Sequence, residues 1–223
     1  MTLQAYQLTC TRGERQLFNN IHFAISAGDA MRVVGANGSG KTSLLRLLCG
    51  LSSPVEGEVR WNGKNITKIR EEFASQLIYL GHANGVKDDL LAWENVLISS
   101  VLSGNPITRD DAYAALDSLG LQQAADLPTR ALSQGQRKRV ALARLQFGMN
   151  APLWILDEPF TALDQKTVMH LCETLNQHLH RGGMLIYTTH QEIELRPGQM
   201  LTLDLSLDKS AEPNLDVNQS ALC

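Results

Sequence analysis

The sequence predicts an α/β protein with a parallel-sheet core, an N-terminal antiparallel β subdomain and an inserted helical lobe. Three observations predict it. A glycine-rich octet at residues 35–42 (GANGSGKT) stands between an apolar strand pattern and leucines at helical spacing. Strand and helix patterns alternate again after residue 150. Between these two regions, about residues 88–148, the pattern is helical throughout.

The elements follow in order. Alternation in IHFAI (21–25) marks a strand, Gly28-Asp29 a turn, and AMRVV (30–34) a buried strand. Residues 41–51 carry leucines at helical spacing and stop at Gly50. EVRW (58–61) is a strand that ends at Asn62-Gly63, a hairpin signal. LIYL (77–80) is a short buried strand, and the helical lobe follows. The last third reads as LWIL, a helix from about Gln165 to His180, MLIYTT and QMLTLDL. Residues 1–205 are expected to form one domain, and 206–223 a polar, loosely held C-terminal tail.

Composition narrows the function classes. The chain has 223 residues, 43% hydrophobic and 19% charged, and can bury a substantial core. A net charge of −3 argues against a nucleic-acid binder driven by overall charge. Cys10, Cys49, Cys172 and Cys223 are scattered, without metal-ligand spacing, which is reduced, cytoplasmic usage. No run approaches the roughly 20 apolar residues of a membrane span, and no signal peptide is expected. Any membrane work therefore falls to another subunit.

The octet fits the phosphate-binding pattern G-x-x-x-x-G-K-[ST], so the core is expected to be of P-loop NTPase type. Gly35, Gly38 and Gly40 let the backbone wrap a polyphosphate, with Ala36, Asn37, Ser39 and Ser43 completing the cradle. Lys41 adds a point charge for the β- and γ-phosphates, and Thr42 a hydroxyl for Mg²⁺. LWILDE (153–158) then delivers two carboxylates at the carboxyl end of a buried strand, where open α/β sheets bind ligands. Asp157 can hold Mg²⁺, while Glu158 lies near the γ-phosphate and can polarise a water. Adjacent acids after a strand are also ordinary helix-capping chemistry; the P-loop upstream favours the catalytic reading. The cofactors expected are ATP and Mg²⁺.

GANGSGKT, LSQGQ (132–136) and LWILDE occur in that order, and the chain resembles the ATP-binding subunits of ABC transporters over about residues 2–205. LSQGQ separates this family from other P-loop proteins. Residues 160–164 (FTALD) match the loop after the catalytic glutamate, and His190 matches the switch histidine. The resemblance implies an ATPase whose two copies dock head to tail around two ATPs. LSQGQ of one copy, through Ser133, Gly135 and Gln136, would cover the γ-phosphate held by the other.

Three positions depart from the family pattern. Gln134 replaces a glycine. Arg12 stands where many members stack an aromatic ring on adenine; a guanidinium plane can stack similarly, and a surface arginine is the alternative. His82 replaces a glutamine that links Mg²⁺ and γ-phosphate to the membrane partner, and reaches less far. With Arg12 and TTHQ (188–191), the string YLGH, then GVKDDLLAWENV, resembles the ATP-binding subunits of bacterial cytochrome c maturation systems, described as haem exporters. That implies a peripheral subunit at the cytoplasmic face of the bacterial inner membrane. Its expected partners are small integral-membrane subunits resembling CcmB and CcmC. A soluble assembly ATPase, as in iron–sulfur cluster building, is the alternative.

Other residues have plainer readings. His178 and His180 read as capping or solvation of a last helical turn, with no direct haem binding. Cys49 reads as a small core residue, Trp93 as a packing anchor of the helical lobe that can also line a partner groove. Arg137-Lys138-Arg139 reads as a cationic face at a dimer interface or beside ATP.

Overall fold

The computed structural model describes residues 1–206 and the backbone of residues 216–217. Strands β1 (Thr2–Arg12), β2 (Arg15–Ser26), β4 (Glu56–Trp61) and β5 (Lys64–Asn65) form an antiparallel sheet in the order β2-β1-β4-β5. The β4–β5 turn has Asn62 at φ 48° and Gly63 at φ 79°. Two positive φ values define the primed turn whose twist matches its strands, as the Asn-Gly pair predicts.

The second sheet contains β3 (Ala30–Val34), β6 (Leu77–Leu80), β7 (Leu153–Leu156), β8 (Met184–Thr188), β9 (Met200–Asp204) and β10 (Asp216–Val217). Its order is β10-β9-β3-β8-β7-β6, parallel except for the β10–β9 pair. β10 puts part of the expected tail into the sheet; residues 207–215 and 218–223 lie outside the described residues.

Every residue of β7 and β8 is buried, because the sheet has a core on each face. Trp154, Leu156, Leu185 and Tyr187 point into one core, with α6 (Gln165–His180) and the lobe helices α3 (Ala92–Leu102), α4 (Arg109–Ser118) and α5 (Gln134–Ala143). Leu153, Ile155, Met184 and Ile186 point into the other. There α1 (Lys41–Leu48) contributes Leu44, Leu45, Leu47 and Leu48, all fully or almost fully buried. Each such leucine is worth about 1.5–3 kcal/mol relative to exposure. A five-residue helix, α2 (Arg70–Ala74), precedes β6 and buries Phe73. In the lobe, the Trp93 ring stacks on Tyr113 at 6.0 Å, under the Arg109 guanidinium at 4.6 Å. Among the described residues no helix is long and apolar enough to cross a membrane.

Two plain readings are corrected by this packing. His178 is not a solvated cap: it is buried, stacks on Trp154 at 3.9 Å and 9°, and its Nε2–H donates to the Met184 carbonyl at 3.2 Å. Burial pushes its pKa down to about 4. A Cβ at Gly183 would lie 2.2 Å from the ring, so the glycine makes room for it. Nor do residues 137–139 form one cationic face. Arg137 pairs with Asp88 at 3.0 Å, and Arg139 donates to the Leu119 carbonyl at 3.1 Å. Lys138 is buried; desolvation lowers its pKa against the pull of Asp157 and Glu158. Cys49 is a core residue, as expected.

Candidate active site

Because β3, β6, β7 and β8 are parallel, their carboxyl ends share one edge of the sheet, and the expected site residues leave from that edge. A cavity of about 420 Å³ opens there. Asn37, Gly38, Gly40, Lys41, Thr42 and Ser43 line it from the P-loop and the first turn of α1. Asp157 and Glu158 line it from the end of β7, His190 from beyond β8, and His82 from beyond β6. Arg12, at the tip of the β1–β2 hairpin, closes one side next to Leu17.

The loop is shaped by backbone that only glycine adopts freely. Gly40 has φ 106°, and a Cβ there would meet Leu17 and Phe18 at 3.1–3.3 Å. A Cβ at Gly35 would lie 2.6 Å from Ser39 Oγ, a buried hydroxyl without a hydrogen-bond partner. Lys41 Nζ reaches back to the carbonyls of Gly35 at 2.7 Å and Ala36 at 3.2 Å. No side chain caps α1, and its first turn holds no acid. The α1 N-terminus therefore keeps its orphan N–H groups and its positive dipole end for an anion. The residues fit a polyphosphate.

Asp157 is almost completely buried and joins three elements. Its Oδ2 accepts from Thr42 Oγ1 at 2.7 Å and its Oδ1 from Thr188 Oγ1 at 2.8 Å. Its N–H donates to the Leu80 carbonyl at 2.7 Å. Two hard oxygens, Thr42 Oγ1 and Asp157 Oδ2, thus converge on the cavity. Among the described residues no group of three or more His, Cys, Asp or Glu side chains could hold a metal by itself. That donor set suits Mg²⁺, which takes one or two protein oxygens and fills its shell with phosphates and water.

Glu158 follows at φ 49°, a strained value for a non-glycine residue, with its N–H donating to Thr188 Oγ1 at 2.8 Å. Its Oε1 lies 3.5 Å from His190 Nε2, and its Oε2 accepts from Thr161 Oγ1 at 3.4 Å. The Glu158 side chain is 18% exposed and His190 62% exposed, so the pair sits at the cavity mouth.

Ser133, Gly135 and Gln136 are not brought to this cavity. They start α5, where Ser133 Oγ accepts from the Gln136 N–H at 3.2 Å and Gln136 Oε1 accepts from the Ser133 N–H at 2.9 Å. Gln134, the departure from the family pattern, is exposed. Sequence reasoning missed Thr188, Thr161 and Arg32. Arg32 Nη2 donates to the Thr189 and Gln191 carbonyls, both at 3.4 Å, on either side of His190. No local signal marks the roles of Arg32 and Thr188, whose partners lie 30 to 159 residues away, whereas Thr161 belongs to the FTALD string and reaches Glu158 three residues before it.

Fold and site together define a P-loop ATPase cassette. The ABC transporter family model matches residues 18–161, and the chain belongs to that family. It is an ATP-hydrolysing ABC cassette. The curated relatives are more particular. The cytochrome c biogenesis ATP-binding export protein CcmA of Nitrosospira multiformis is 49% identical over 92% of this chain and 99% of its own. The protein of that name from Nitrosomonas europaea is 53% identical over 86% of this chain and 89% of its own. The CcmA of Pseudomonas aeruginosa is 44% identical over 90% and 98%. Among solved structures, a putative ABC transporter ATP-binding protein from Pyrococcus furiosus has the same fold. It matches with TM-score 0.76 and 23% identity, over 92% of this chain and 98% of the other. A dimeric cassette in a post-hydrolysis state bound to ADP and Pi matches with TM-score 0.77 and 24% identity, over 91% and 94%.

Proposed function

We propose that this chain is the energy-coupling ATPase of a membrane complex for cytochrome c biogenesis, peripheral at the cytoplasmic face of the inner membrane. Relatives that carry this function by name, at 44–53% identity over most of the chain, support it over a soluble assembly factor. The partners proposed are a second copy of the chain and integral-membrane subunits resembling CcmB and CcmC. Residues 1–205 act as one cassette.

The observation that carries the chemistry is the Thr42–Asp157–Thr188–Glu158 hydrogen-bond chain at the cavity. Lys41, the P-loop amides and the start of α1 hold the phosphates, and Arg12 lies against the base. Thr42 and Asp157 hold Mg²⁺, which neutralises phosphate charge; His82 is a further candidate contact. Glu158 accepts a proton from the attacking water as general base. His190, held by Arg32 through its flanking carbonyls, keeps the Glu158 carboxylate turned toward the cavity mouth. Ser133, Gly135 and Gln136 act on the nucleotide of the other copy.

Glu158→Gln tests this assignment. The amide keeps the shape and leaves Asp157 in place, but it cannot take the proton. Hydrolysis is expected to fall about 100-fold or more, and an ATP-bound dimer to accumulate as a mass doubling by light scattering. Normal turnover by this variant would remove Glu158 from the role of base.

A further inference from the structure

The first turn of α5 has a second contact, inside its own chain. A Cβ built on Gly135 would lie 2.6 Å from the carbonyl oxygen of Ala162. The obstacle is main chain, so no rotamer change relieves it. Ala162 itself has φ 62°, which a non-glycine residue holds only where its surroundings fix it.

The loop on either side of Ala162 is held in place. Phe160 is fully buried, and its carbonyl accepts from Gln191 Nε2 at 3.5 Å. Asp164 caps α6 through the Thr167 N–H at 2.8 Å and faces Arg139 of α5 at 4.0 Å. In the other direction Thr161 ties the loop to Glu158 twice. Its N–H donates to the Glu158 carbonyl at 3.4 Å, and its Oγ1 to the Glu158 carboxylate at 3.4 Å. A continuous contact path therefore runs from Gly135 through Ala162 and Thr161 to the Glu158 side chain.

We infer that Gly135 is a positioning residue for Glu158 of its own chain. The missing side chain lets the Ala162 carbonyl rest against α5, and that resting place sets where the Glu158 carboxylate stands. This rests on the dimer reading above in one respect: there, Gly135 also approaches the nucleotide of the other copy. The two roles act on different sites.

Gly135→Ala separates the roles. A methyl group must push the Ala162 carbonyl by several tenths of an ångström, and misplacement on that scale costs about tenfold or more in turnover. The complex is purified with two differently tagged copies. In the first arrangement one copy carries Gly135→Ala and the other Glu158→Gln. The only intact base then belongs to the Gly135→Ala copy, and the signature facing it is unaltered. Turnover is expected to fall about tenfold against the same complex with Gly135 restored, with KM for ATP within about twofold. Unchanged turnover there, with loss only when both substitutions share one copy, overturns the inference and leaves the dimer reading standing.

If complexes carrying Glu158→Gln in one copy give no measurable reference rate, the free chain decides. Amide hydrogen exchange of residues 158–164 in the nucleotide-free chain is expected to accelerate in Gly135→Ala, while α1 and β8 stay protected. Unchanged exchange in that loop overturns the steric link itself.

Discussion

Helices α1 and α5 both begin at residues marked for anions, and their N-termini are in opposite states. α1 starts at Gly40, takes no side-chain cap and has no acid in its first turn. α5 starts at Ser133 inside a completed capping box with Gln136. The chain leaves the first dipole end open, so a phosphate finds its donors already arranged. It closes the second with its own side chains. A cap of this kind is worth about 1 kcal/mol, whereas a hydrogen bond to a charged group is worth about 1.5–3 kcal/mol. In the proposed dimer, a γ-phosphate delivered by another copy would therefore displace the cap, and nothing weaker would. On that proposal α1 is a standing site and α5 a conditional one.

The difference is broken most severely at Lys41. Lys41→Ala removes the phosphate-facing charge and leaves the Gly35 and Ala36 carbonyls without their donor. Two bonds from the ammonium to phosphate oxygens, at the lower end of the range for charged groups, would amount to about 3 kcal/mol, or roughly 100-fold in affinity. Titration of the isolated chain with Mg·ATP is expected to read that loss. Affinity within a few-fold of wild type would mean that the α1 cavity is not the nucleotide site.

The scaffold beneath both helices has its own acid limit, set by His178. Its folded pKa of about 4 lies below the ordinary value of 6.5 because burial against Trp154 disfavours the charged ring. The unfolded chain therefore binds the extra proton between those values, so stability is full above about pH 6.5 and falls as pH drops toward 4. The loss approaches about 3 kcal/mol. Urea unfolding at pH 7, 5.5 and 4.5 is expected to follow that slope, and His178→Gln to flatten it while lowering stability at pH 7. An unchanged slope in the variant would assign the acid sensitivity to other groups.

Ser133→Ala acts on the conditional site alone. Loss of the cap is expected to cost about 1 kcal/mol of stability. ATP affinity of the isolated chain is expected to stay within about twofold, while hydrolysis by the complex falls about tenfold. Loss of ATP affinity in the isolated chain would make α5 part of the same standing site as α1 and remove the contrast.

Local chemistry decided what could be read from the sequence. The α6 helix is bounded by Asp164, which caps it, and by Gly182-Gly183 after it, so a helix from about Gln165 to His180 was legible. β7 and β8 were legible because burial on both faces leaves an unbroken apolar run. α2 was not, since five residues show too little of a helical period. The P-loop and the acids after β7 announce themselves by spacing. His178 was misread because a histidine near a helix end looks the same whether its ring meets water or Trp154. Residues 137–139 were misread because spacing does not reveal which cation turns inward; Lys138 does, while Arg137 finds Asp88. Arg32 and Thr188 reach the site only through a parallel sheet that brings β3, β7 and β8 side by side.

The smallest expected effect joins the two regions. His82 lines the α1 cavity with Asp157 and Lys41, and its loop leads from edge strand β6 into the lobe that carries α5. It is exposed, so its removal leaves no buried group unpaired. A neutral imidazole keeps one acceptor nitrogen for a metal-bound water. His82→Ala is expected to leave nucleotide affinity of the isolated chain unchanged within about twofold. Partner-stimulated hydrolysis should fall severalfold, with cytochrome c maturation in cells weakened in step. His82→Gln restores an acceptor oxygen on a longer, uncharged arm and is expected to stay within about twofold of wild type in all three measurements. A role in packing or capping the turn orders the variants differently, because glutamine does not reproduce a ring. Full maturation in cells carrying His82→Ala at normal protein levels would confine His82 to that turn, and would leave the path through Thr161 and Ala162 to α5 as the link between the standing site and the lobe.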